Sequence, residues 1–162
     1  RDDVESRGLG DVYKRQGVDI SPKALEVARV NRADYEMEDQ IDLVLSDLFD
    51  MPEVKTKKWD VIISNPPYVT TAAMESLPDE YRLEPSLALE AGFDGMDVVR
   101  RLLPEAADHL TENGILVVEV GDGREAVEAI WPDLPLTWLT VSAGDDLVFL
   151  ATAEDLKRYF KH

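Results

Sequence analysis

The most informative stretch of the sequence for the fold is residues 59–68, which read Trp59-Asp60-Val61-Ile62-Ile63-Ser64-Asn65-Pro66-Pro67-Tyr68. Its apolar run 61–63 is uninterrupted, which is typical of a strand buried on both faces of a parallel sheet. The two prolines end the strand because neither has a backbone N–H to donate to a sheet. The stretch therefore predicts a buried strand over residues 59–64, with a polar tetrapeptide at its carboxyl end.

The elements on either side of this strand alternate between strand and helix. Upstream, a strand end at residues 17–20 precedes a helix that begins at Ser21-Pro22, and residues 41–45 form the next strand. Downstream, the pattern predicts a helix over 94–110 that Pro104 kinks or splits, a strand over 115–120, a helix over 124–130, a hairpin of strands 137–141 and 147–151, and a helix over 154–160. This alternation predicts an α/β fold with a mostly parallel sheet and a C-terminal antiparallel hairpin.

The composition excludes cysteine chemistry and argues against a membrane span and a metal site. The chain has 162 residues and no cysteine, which excludes disulfides, thiolate metal sites and cysteine nucleophiles within it. The absence of cysteine fits a cytoplasmic location. No apolar run approaches the roughly 20 residues that span a membrane, so we expect no membrane insertion. His109 and His162 are isolated histidines without a plausible metal-ligand partner, and we predict no metal site.

The net charge of -17 constrains the partners of the chain. Such a surface repels a phosphate backbone, so we expect no direct nucleic-acid binding by this piece. The charge favours a basic protein partner, although an acidic surface can also serve solubility alone.

Polar side chains stand at the carboxyl ends of the two strands that precede residue 59. Ligands of parallel α/β sheets bind beyond these ends. There, Asp19 can accept both ribose hydroxyl hydrogens of a nucleotide, or it is only an acidic residue that the dipole of the next helix favours. Asp47 can accept from an adenine amino group, and Leu48 can pack on the adenine ring. The alternative is that Ser46 and Asp47 only form a loop N-cap.

The tetrapeptide Asn65-Pro66-Pro67-Tyr68 carries the strongest chemical signal. The carbonyl groups of Asn65 and Pro66 can together accept both hydrogens of one NH2 group. A planar amide or amino nitrogen needs such acceptors, because its delocalised lone pair must be held toward an electrophilic methyl group. Tyr68 can stack on the planar group or on a sulfonium. The alternative is a rigid turn after a strand.

Two further segments accompany the tetrapeptide at this edge of the sheet. Residues 65–95 form a long connection with helical turns near residues 72–77, and a loop of this length in a compact domain is usually functional. Glu119-Val120-Gly121 ends the strand over 115–120. There Gly121 either borders the site or only permits a tight turn.

The chain resembles the protein N5-glutamine methyltransferases, the HemK-like group of class I methyltransferases. From residue 17 onward, the resemblance is carried by Val18-Asp19-Ile20-Ser21, Ser46-Asp47-Leu48-Phe49, Ile63-Ser64-Asn65-Pro66-Pro67-Tyr68, Glu84-Pro85 through Ala88-Leu89, Gly92 with Gly95, and Glu119-Val120-Gly121. It implies a Rossmann-like fold that uses S-adenosyl-L-methionine. It also implies that Asp19 binds the ribose and that Asp47 and Leu48 border the adenine, with Ser46 beside them. Residues 65–68 are implied to hold the substrate glutamine, with Asn65 also next to the cofactor.

The resemblance extends to the substrate. Residues 78–85 and 135–139 look most like the branch of the group that methylates ribosomal protein uL3. The sister branch acts on peptide-chain release factors at a Gly-Gly-Gln motif and is the first alternative. A second alternative is a nucleic-acid amino methyltransferase of the adenine-N6 type, which shares the tetrapeptide but favours a basic groove that this acidic chain does not supply. A third is an inactive, truncated fragment.

Residues 1–16 depart from the family pattern. The family has a first strand and a glycine-rich loop, Asp-x-x-x-Gly-x-Gly, before the position of Asp19, and a helical domain before that. Residues 7–16 instead resemble translated sequencing-adapter read-through. We therefore predict a foreign segment over residues 1–16 and a partial catalytic domain over residues 17–162. On this interpretation the first strand and the glycine-rich loop are lacking, and we expect the chain to bind the cofactor poorly and to turn over little.

Overall fold

A computed structural model describes residues 15–74, 89–142 and 144–161 of the chain. The chain divides after Lys57 into two compact units. Most of the segment predicted to be foreign, residues 1–14, lies outside the described residues. The segment over 78–85 lies outside them as well, as does the Glu84-Pro85 pair that contributes to the resemblance.

The first unit contains a two-stranded parallel sheet and two helices of unequal length. Its elements in chain order are β1 (Arg15–Asp19), α1 (Pro22–Asp34), β2 (Ile41–Leu45) and α2 (Pro52–Lys55). α1 begins where the sequence predicts. The Ser21 hydroxyl accepts a hydrogen bond from the Ala24 N–H at 3.3 Å, and Pro22 occupies the first turn, where its missing N–H costs nothing.

β1 begins at Arg15, two residues before the predicted start of the strand at Gly17. The backbone N–H of Arg15 donates to the Gln40 carbonyl at 3.2 Å, and Gln16 continues the pairing with β2. Backbone hydrogen bonds between strands do not require apolar side chains. The polar residues 15 and 16 therefore lack the apolar pattern from which a strand is predicted. The assignment of residues 1–16 to a foreign segment stays a prediction.

The second unit contains a four-stranded mixed sheet with helices. Its elements in chain order are β3 (Trp59–Ser64), α3 (Thr71–Met74), α4 (Asp97–His109), β4 (Leu110–Glu119), a 3₁₀ turn (Gly121–Gly123), α5 (Arg124–Ile130), β5 (Thr137–Val141), β6 (Gly144–Thr152) and α6 (Ala153–Phe160). The strand order is β3-β4-β6-β5. β3 and β4 are parallel, whereas β6 runs antiparallel to both of its neighbours. The α/β class and the C-terminal antiparallel hairpin are thereby confirmed.

The core of the second unit lies between its sheet and two of its helices. α4 packs against α6, and α6 packs against β4. The fully buried side chains of these elements and of β6 include Val99, Leu102, Leu103, Leu116, Val118, Phe149 and Leu156. Burying one such side chain stabilises the fold by about 1.5–3 kcal/mol, so this layer carries much of the stability of the unit.

β3 is less buried than its apolar run predicts. Val61 is 50% exposed and Ile63 is 77% exposed, while Ile62 between them is half-buried. Side chains alternate across a strand, so Val61 and Ile63 share one open face. Within its sheet β3 is an edge strand, and β4 is its neighbour. The apolar run predicts the strand correctly, but the expectation that both faces are buried is wrong.

α4 runs from Asp97 to His109 as one helix. The sequence predicts that Pro104 either kinks or splits this helix, and the structure shows that it does not split it. A proline inside a helix costs about 3 kcal/mol because it removes a hydrogen bond and crowds the preceding turn. The neighbouring side chains of Leu102, Leu103 and Ala106 are all buried. Their burial offsets that cost.

Two strand boundaries also differ from the predictions. β4 begins at Leu110, so Asn113-Gly114 lies inside the strand, where the register with β3 shifts between Trp59 and Val61. β6 begins at Gly144, so Gly144-Asp145 belongs to the strand rather than to the hairpin turn. Glycine tolerates the irregular backbone of a bulge as well as that of a turn. A glycine in the sequence therefore does not distinguish a bulge inside a strand from a turn between strands.

The described helices are short. None of those within residues 15–74, 89–142 and 144–161 has the length and apolar character that a crossing of the bilayer needs. Over the same residues, no three or more His, Asp or Glu side chains are grouped so that they could hold a metal ion.

Candidate functional site

The first group of candidate residues lies at the carboxyl ends of β1 and β2. Asp19 pairs with Leu45 in the parallel register, and the next N–H, that of Ser46, donates to the Asp19 carbonyl at 3.0 Å. The parallel pairing therefore brings Asp19 and the segment 46–48 together, as the sequence predicts.

One of the two oxygens of the Asp19 carboxylate is hydrogen-bonded within the protein. Its Oδ1 accepts a hydrogen bond from the Ser21 N–H at 2.7 Å, which turns the chain into α1. No residue that the structure describes donates to its second oxygen, Oδ2. The side chain is half-buried and stands at the start of a helix, where the helix dipole stabilises its negative charge. One carboxylate oxygen thus holds the turn, and the other can accept from a ligand.

Residues 46–50 form a tight turn after β2. Ser46 is buried, and its hydroxyl accepts a hydrogen bond from the Met51 N–H at 3.1 Å. The Asp50 N–H closes the turn by donating to the Asp47 carbonyl at 3.1 Å. Ser46 therefore has a structural role in closing the turn, and its contact with the cofactor stays a prediction.

Leu48 has a strained backbone within this turn. Its φ is 48°, in the left-handed region that a bulky residue rarely adopts. Such a conformation costs about 1–2 kcal/mol and is concentrated at functional sites in proteins. The strain supports the prediction that the turn 46–50 presents Leu48 to a ligand.

The second group of candidate residues is the tetrapeptide, which leaves the carboxyl end of β3. Asn65 is exposed, and its side chain makes no hydrogen bond with any residue that the structure describes. Pro66 is buried, and Pro67 and Tyr68 are half-buried. The tetrapeptide is therefore anchored at its proline and presents the Asn65 amide to solvent.

The connection that follows the tetrapeptide is closed at its base by backbone hydrogen bonds. The Val69 N–H donates to the Leu89 carbonyl at 2.8 Å, and the Ala91 N–H donates to the Val69 carbonyl at 2.9 Å. The Thr71 N–H donates to the Gly92 carbonyl at 2.9 Å. These bonds form a short parallel bridge, and they hold the residue after Tyr68 in place on both sides.

Two glycines from separate segments approach Tyr68. Gly95, which is buried and has a φ of 77°, leaves no room for a side chain, because a Cβ there would lie 2.4 Å from the Tyr68 carbonyl oxygen. Gly121, with a φ of 52°, lies against the aromatic ring, because a Cβ there would lie 2.7 Å from Tyr68 Cε2. The sequence left open whether Gly121 borders the site or only permits a tight turn. In the structure its positive φ begins the 3₁₀ turn, and it lies against the Tyr68 ring.

Gly123 completes this arrangement. A Cβ on Gly123 would lie 2.7 Å from the methyl carbon of Met96, which is the residue after Gly95 and is fully buried. The turn Gly121–Gly123 and the pair Gly95-Met96 therefore pack on each other as well as on Tyr68. In the sequence, Gly95 contributed only to the resemblance, and Met96 and Gly123 carried no signal.

An ion pair holds the turn that contains Gly95. Arg100 Nη1 donates to Asp94 Oδ1 at 2.9 Å, a second Arg100 nitrogen bonds to Asp94 Oδ2, and Oδ1 also accepts from the Met96 N–H at 3.1 Å. The hydrogen bonds from Arg100 lower the pKa of Asp94 below its ordinary value, and the same contact raises the pKa of Arg100. The pair is largely exposed, so its contribution is that of a surface ion pair, about 0.2–1 kcal/mol.

Replacing Asp94 with asparagine should make the stability of the second unit less dependent on pH in acid. Since folding lowers the pKa of Asp94, its contribution is complete above the ordinary value of 3.8 and is lost as the pH falls through the lowered pKa. We expect Asp94→Asn to be less stable than the wild type by under about 1 kcal/mol near neutral pH, with the difference vanishing in strong acid. Urea unfolding at a series of pH values measures it. Asp145→Asn, at an exposed carboxylate, is the control, and a pH-independent difference would contradict the assignment.

Comparison with protein families gives one match that spans more than half of the chain. The family model described as "UPF0020: RMKL-like, methyltransferase domain" matches residues 2–92. This range contains β1 to β3 and the tetrapeptide 65–68. It also begins within residues 1–16, which the sequence predicts to be foreign.

Curated relatives with high identity share one description. A ribosomal protein uL3 glutamine methyltransferase from Neisseria meningitidis serogroup A is 49% identical over 139 residues, which are 86% of this chain and 45% of the relative. The proteins of the same name from Francisella tularensis and Burkholderia pseudomallei are 45% and 48% identical, over 88% and 86% of this chain and 45% and 47% of their own lengths. The chain thus spans about half the length of the curated relatives it matches.

Solved structures with low sequence identity share the fold. A methyltransferase from Pyrococcus furiosus superposes with a TM-score of 0.59 at 18% identity, covering 92% of this chain and 68% of that protein. SMU.1697c from Streptococcus mutans, solved in complex with SAH, superposes with a TM-score of 0.59 at 14% identity, covering 91% and 81%. The class I methyltransferase fold that the sequence predicts is confirmed.

Proposed function

The chain belongs to the RMKL-like methyltransferase-domain family (UPF0020), and we propose that its protein transfers a methyl group from S-adenosyl-L-methionine to a glutamine side chain of ribosomal protein uL3. The observation that carries the proposal is the tetrapeptide 65–68, which presents an exposed Asn65 amide at the carboxyl end of a parallel strand. The shared name of relatives at 45–49% identity supports the choice of glutamine and of uL3.

The chemistry assigned to the tetrapeptide follows from its hydrogen-bonding capacity. The Asn65 side-chain carbonyl and the Pro66 backbone carbonyl accept the two hydrogens of the substrate amide. Held in this way, the amide nitrogen keeps the one orientation in which its lone pair can react, and its developing positive charge faces two carbonyl dipoles. Tyr68 supplies an aromatic face for the planar group. No strong general base is needed, because the nitrogen loses its proton readily once it carries positive charge.

The residues of the first unit fit a nucleoside. The second oxygen of the Asp19 carboxylate can accept from a ribose hydroxyl while the first holds the turn into α1. Asp47 and Leu48 lie in the strained turn that follows β2. β2 pairs with β1, which ends at Asp19. When bound, S-adenosyl-L-methionine would supply a methyl group on a sulfonium sulfur. A nitrogen lone pair can attack that methyl carbon, and the sulfur then leaves as a neutral thioether. The protein residues named here bind and orient, and they undergo no covalent change.

Asp19→Asn should weaken cofactor binding about tenfold, which is the loss of roughly 1.5 kcal/mol expected for one hydrogen bond to a charged group. Asparagine keeps an oxygen that can accept from the Ser21 N–H, so the start of α1 should be preserved. Calorimetric titration of the complete gene product with S-adenosyl-L-methionine measures the affinity. Asp39→Asn, an exposed position of the same unit, is the matched control. Equal affinity of Asp19→Asn and wild type would remove Asp19 from the ribose site.

Charge supports a basic protein as substrate. The chain carries a net charge of -17, so a positively charged partner is attracted and a nucleic acid is repelled. Ribosomal proteins bind RNA and are basic as a class. A ribosomal substrate also implies that the enzyme acts in the cytoplasm, where ribosomal proteins are made.

The proposed function is tested by product analysis. The complete gene product is incubated with radiolabelled S-adenosyl-L-methionine, undermethylated ribosomes and release factors, and the labelled residue is identified by mass spectrometry. We expect N5-methylglutamine in uL3. Label on a release factor would preserve the chemistry and change the substrate. Label on RNA, or no label at all, would overturn the proposal and favour a nucleic-acid methyltransferase or an inactive protein respectively.

A further inference from the structure

We propose that Gly95 and Gly121 are positioning residues that set the backbone and the ring of Tyr68 for the substrate amide, an inference that rests on the proposed function. The two glycines belong to different parts of the second unit. Gly95 lies just before α4, and Gly121 begins the 3₁₀ turn that follows β4. At both positions the three atoms nearest to an added Cβ belong to Tyr68.

Gly95 sets the backbone of Tyr68. The three atoms nearest to a Cβ at this position are all main-chain atoms of Tyr68, at 2.4, 3.2 and 3.7 Å. Main-chain atoms cannot rotate away as the end of a side chain can, so any larger residue at 95 has to move the tetrapeptide. The Asp94–Arg100 pair and the buried Met96 hold Gly95 from its other side.

Gly121 sets the ring. The three atoms nearest to a Cβ here are ring carbons of Tyr68, at 2.7, 3.0 and 3.1 Å. The ring is therefore in contact with the backbone at the end of β4, the strand that pairs in parallel with β3. Because the tetrapeptide leaves β3, this contact fixes the ring relative to the strand end from which Asn65 projects.

The geometric consequence is that the backbone at Asn65 and the Tyr68 ring are each tied to the end of a strand, and these two strands pair in parallel. Asn65 is set by the end of β3, and the ring is set by the end of β4. A displacement of about 1 Å in a group that positions a substrate can reduce the rate about 100-fold. The glycines thus act on the reaction through Tyr68, without touching the substrate.

The test is a double-mutant cycle of Gly121→Ala and Tyr68→Ala in the complete gene product, with kcat for glutamine methylation and KM for S-adenosyl-L-methionine as readouts. We expect each single variant to lower kcat about 100-fold and to change KM less than about threefold. Since both changes remove the same positioned ring, the double variant should be no worse than about 100-fold. A multiplied loss of about 10,000-fold would mean that Gly121 acts only through its own backbone, and it would overturn the proposal.

The control for backbone strain is Gly144→Ala. Gly144 also has a positive φ, 146°, but a Cβ there meets only the Leu147 side chain, at the ordinary distance of 3.4 Å. We expect kcat to change less than about threefold. A loss as large as that of Gly121→Ala would show that any glycine of this kind is needed for folding, and it would overturn the specific role.

A folding readout keeps the inference separate from the proposed function. If Gly121→Ala unfolds, the Tyr68→Ala change should restore folding in the double variant, because it removes the ring carbons that the new methyl group meets. If the double variant also failed to fold, the proposed contact between Gly121 and the Tyr68 ring would be wrong. A wild-type protein that forms no N5-methylglutamine would overturn the proposed function and the role in catalysis, whereas the folding cycle would still report whether Gly121 holds the ring.

Discussion

Asn65→Ala should lower the turnover of the complete gene product by about 100- to 1000-fold and leave its affinity for S-adenosyl-L-methionine within about threefold of wild type. The magnitude is that of removing one pre-organised polar contact to a group that becomes charged in the transition state. Asn65 is exposed and makes no hydrogen bond with the described residues, so its loss should change the free energy of unfolding by less than about 0.5 kcal/mol.

Two companion variants sharpen this test. Asn65→Asp keeps an acceptor oxygen, and it should retain more activity than Asn65→Ala if accepting a hydrogen from the substrate amide is what matters. Asn113→Ala changes an exposed asparagine in the bulge of β4 and should leave turnover unchanged. Single-turnover kinetics with a saturating uL3 substrate separate the methyl transfer from product release. An Asn65→Ala enzyme with normal turnover would remove Asn65 from the mechanism.

Phe149→Ala should lower the free energy of unfolding of the second unit by about 3–5 kcal/mol. Phe149 lies in β6, between β4 and β5, and it is fully buried. Its ring meets the Trp138 ring edge-on, with centroids 5.5 Å apart. Truncation removes the ring and leaves a cavity, because the sheet on both sides of β6 cannot collapse to fill it. Domains are stable by only about 5–15 kcal/mol, so the change is a large fraction of the total.

Tryptophan fluorescence during urea unfolding measures this effect on the second unit alone. All three tryptophans, Trp59, Trp131 and Trp138, lie after Lys57. With a denaturant dependence of about 2 kcal/mol per molar urea, the midpoint should fall by roughly 2 M. Phe93→Ala is the matched control, since Phe93 is 94% exposed and its loss should change stability by under about 0.5 kcal/mol. A Phe149→Ala protein within 1 kcal/mol of wild type would show that the core repacks.

The elements with a local signature could be predicted from the sequence. β2, β3, α5 and β5 have the predicted bounds, and α1 begins at the predicted proline. Each depends on neighbouring residues: an apolar run for β3, and a capping serine followed by a proline for α1. The placement of Asp19 beside Ser46 was predictable too, because parallel pairing brings the carboxyl ends of successive strands to one edge.

The elements without such a signature were predicted incompletely. Arg15 and Gln16 enter β1 through backbone hydrogen bonds, which leave no mark on the choice of side chain. Val61 and Ile63 have the pattern of buried residues but remain exposed, since burial depends on what covers a face and not on the strand itself. The helix α4 continues through Pro104, because packing by distant residues offsets a local penalty.

From the sequence alone, the tetrapeptide 65–68 predicts a site that accepts hydrogen bonds from a planar NH2 group, because its two prolines offer carbonyls but no N–H and Asn65 adds a side-chain carbonyl. How Tyr68 is held depends on the folded chain, because Gly95 and Gly121 reach it from segments far along the chain. The physical reason is that a glycine is chosen here for the space it leaves, and which atoms occupy that space is known only when the chain has folded.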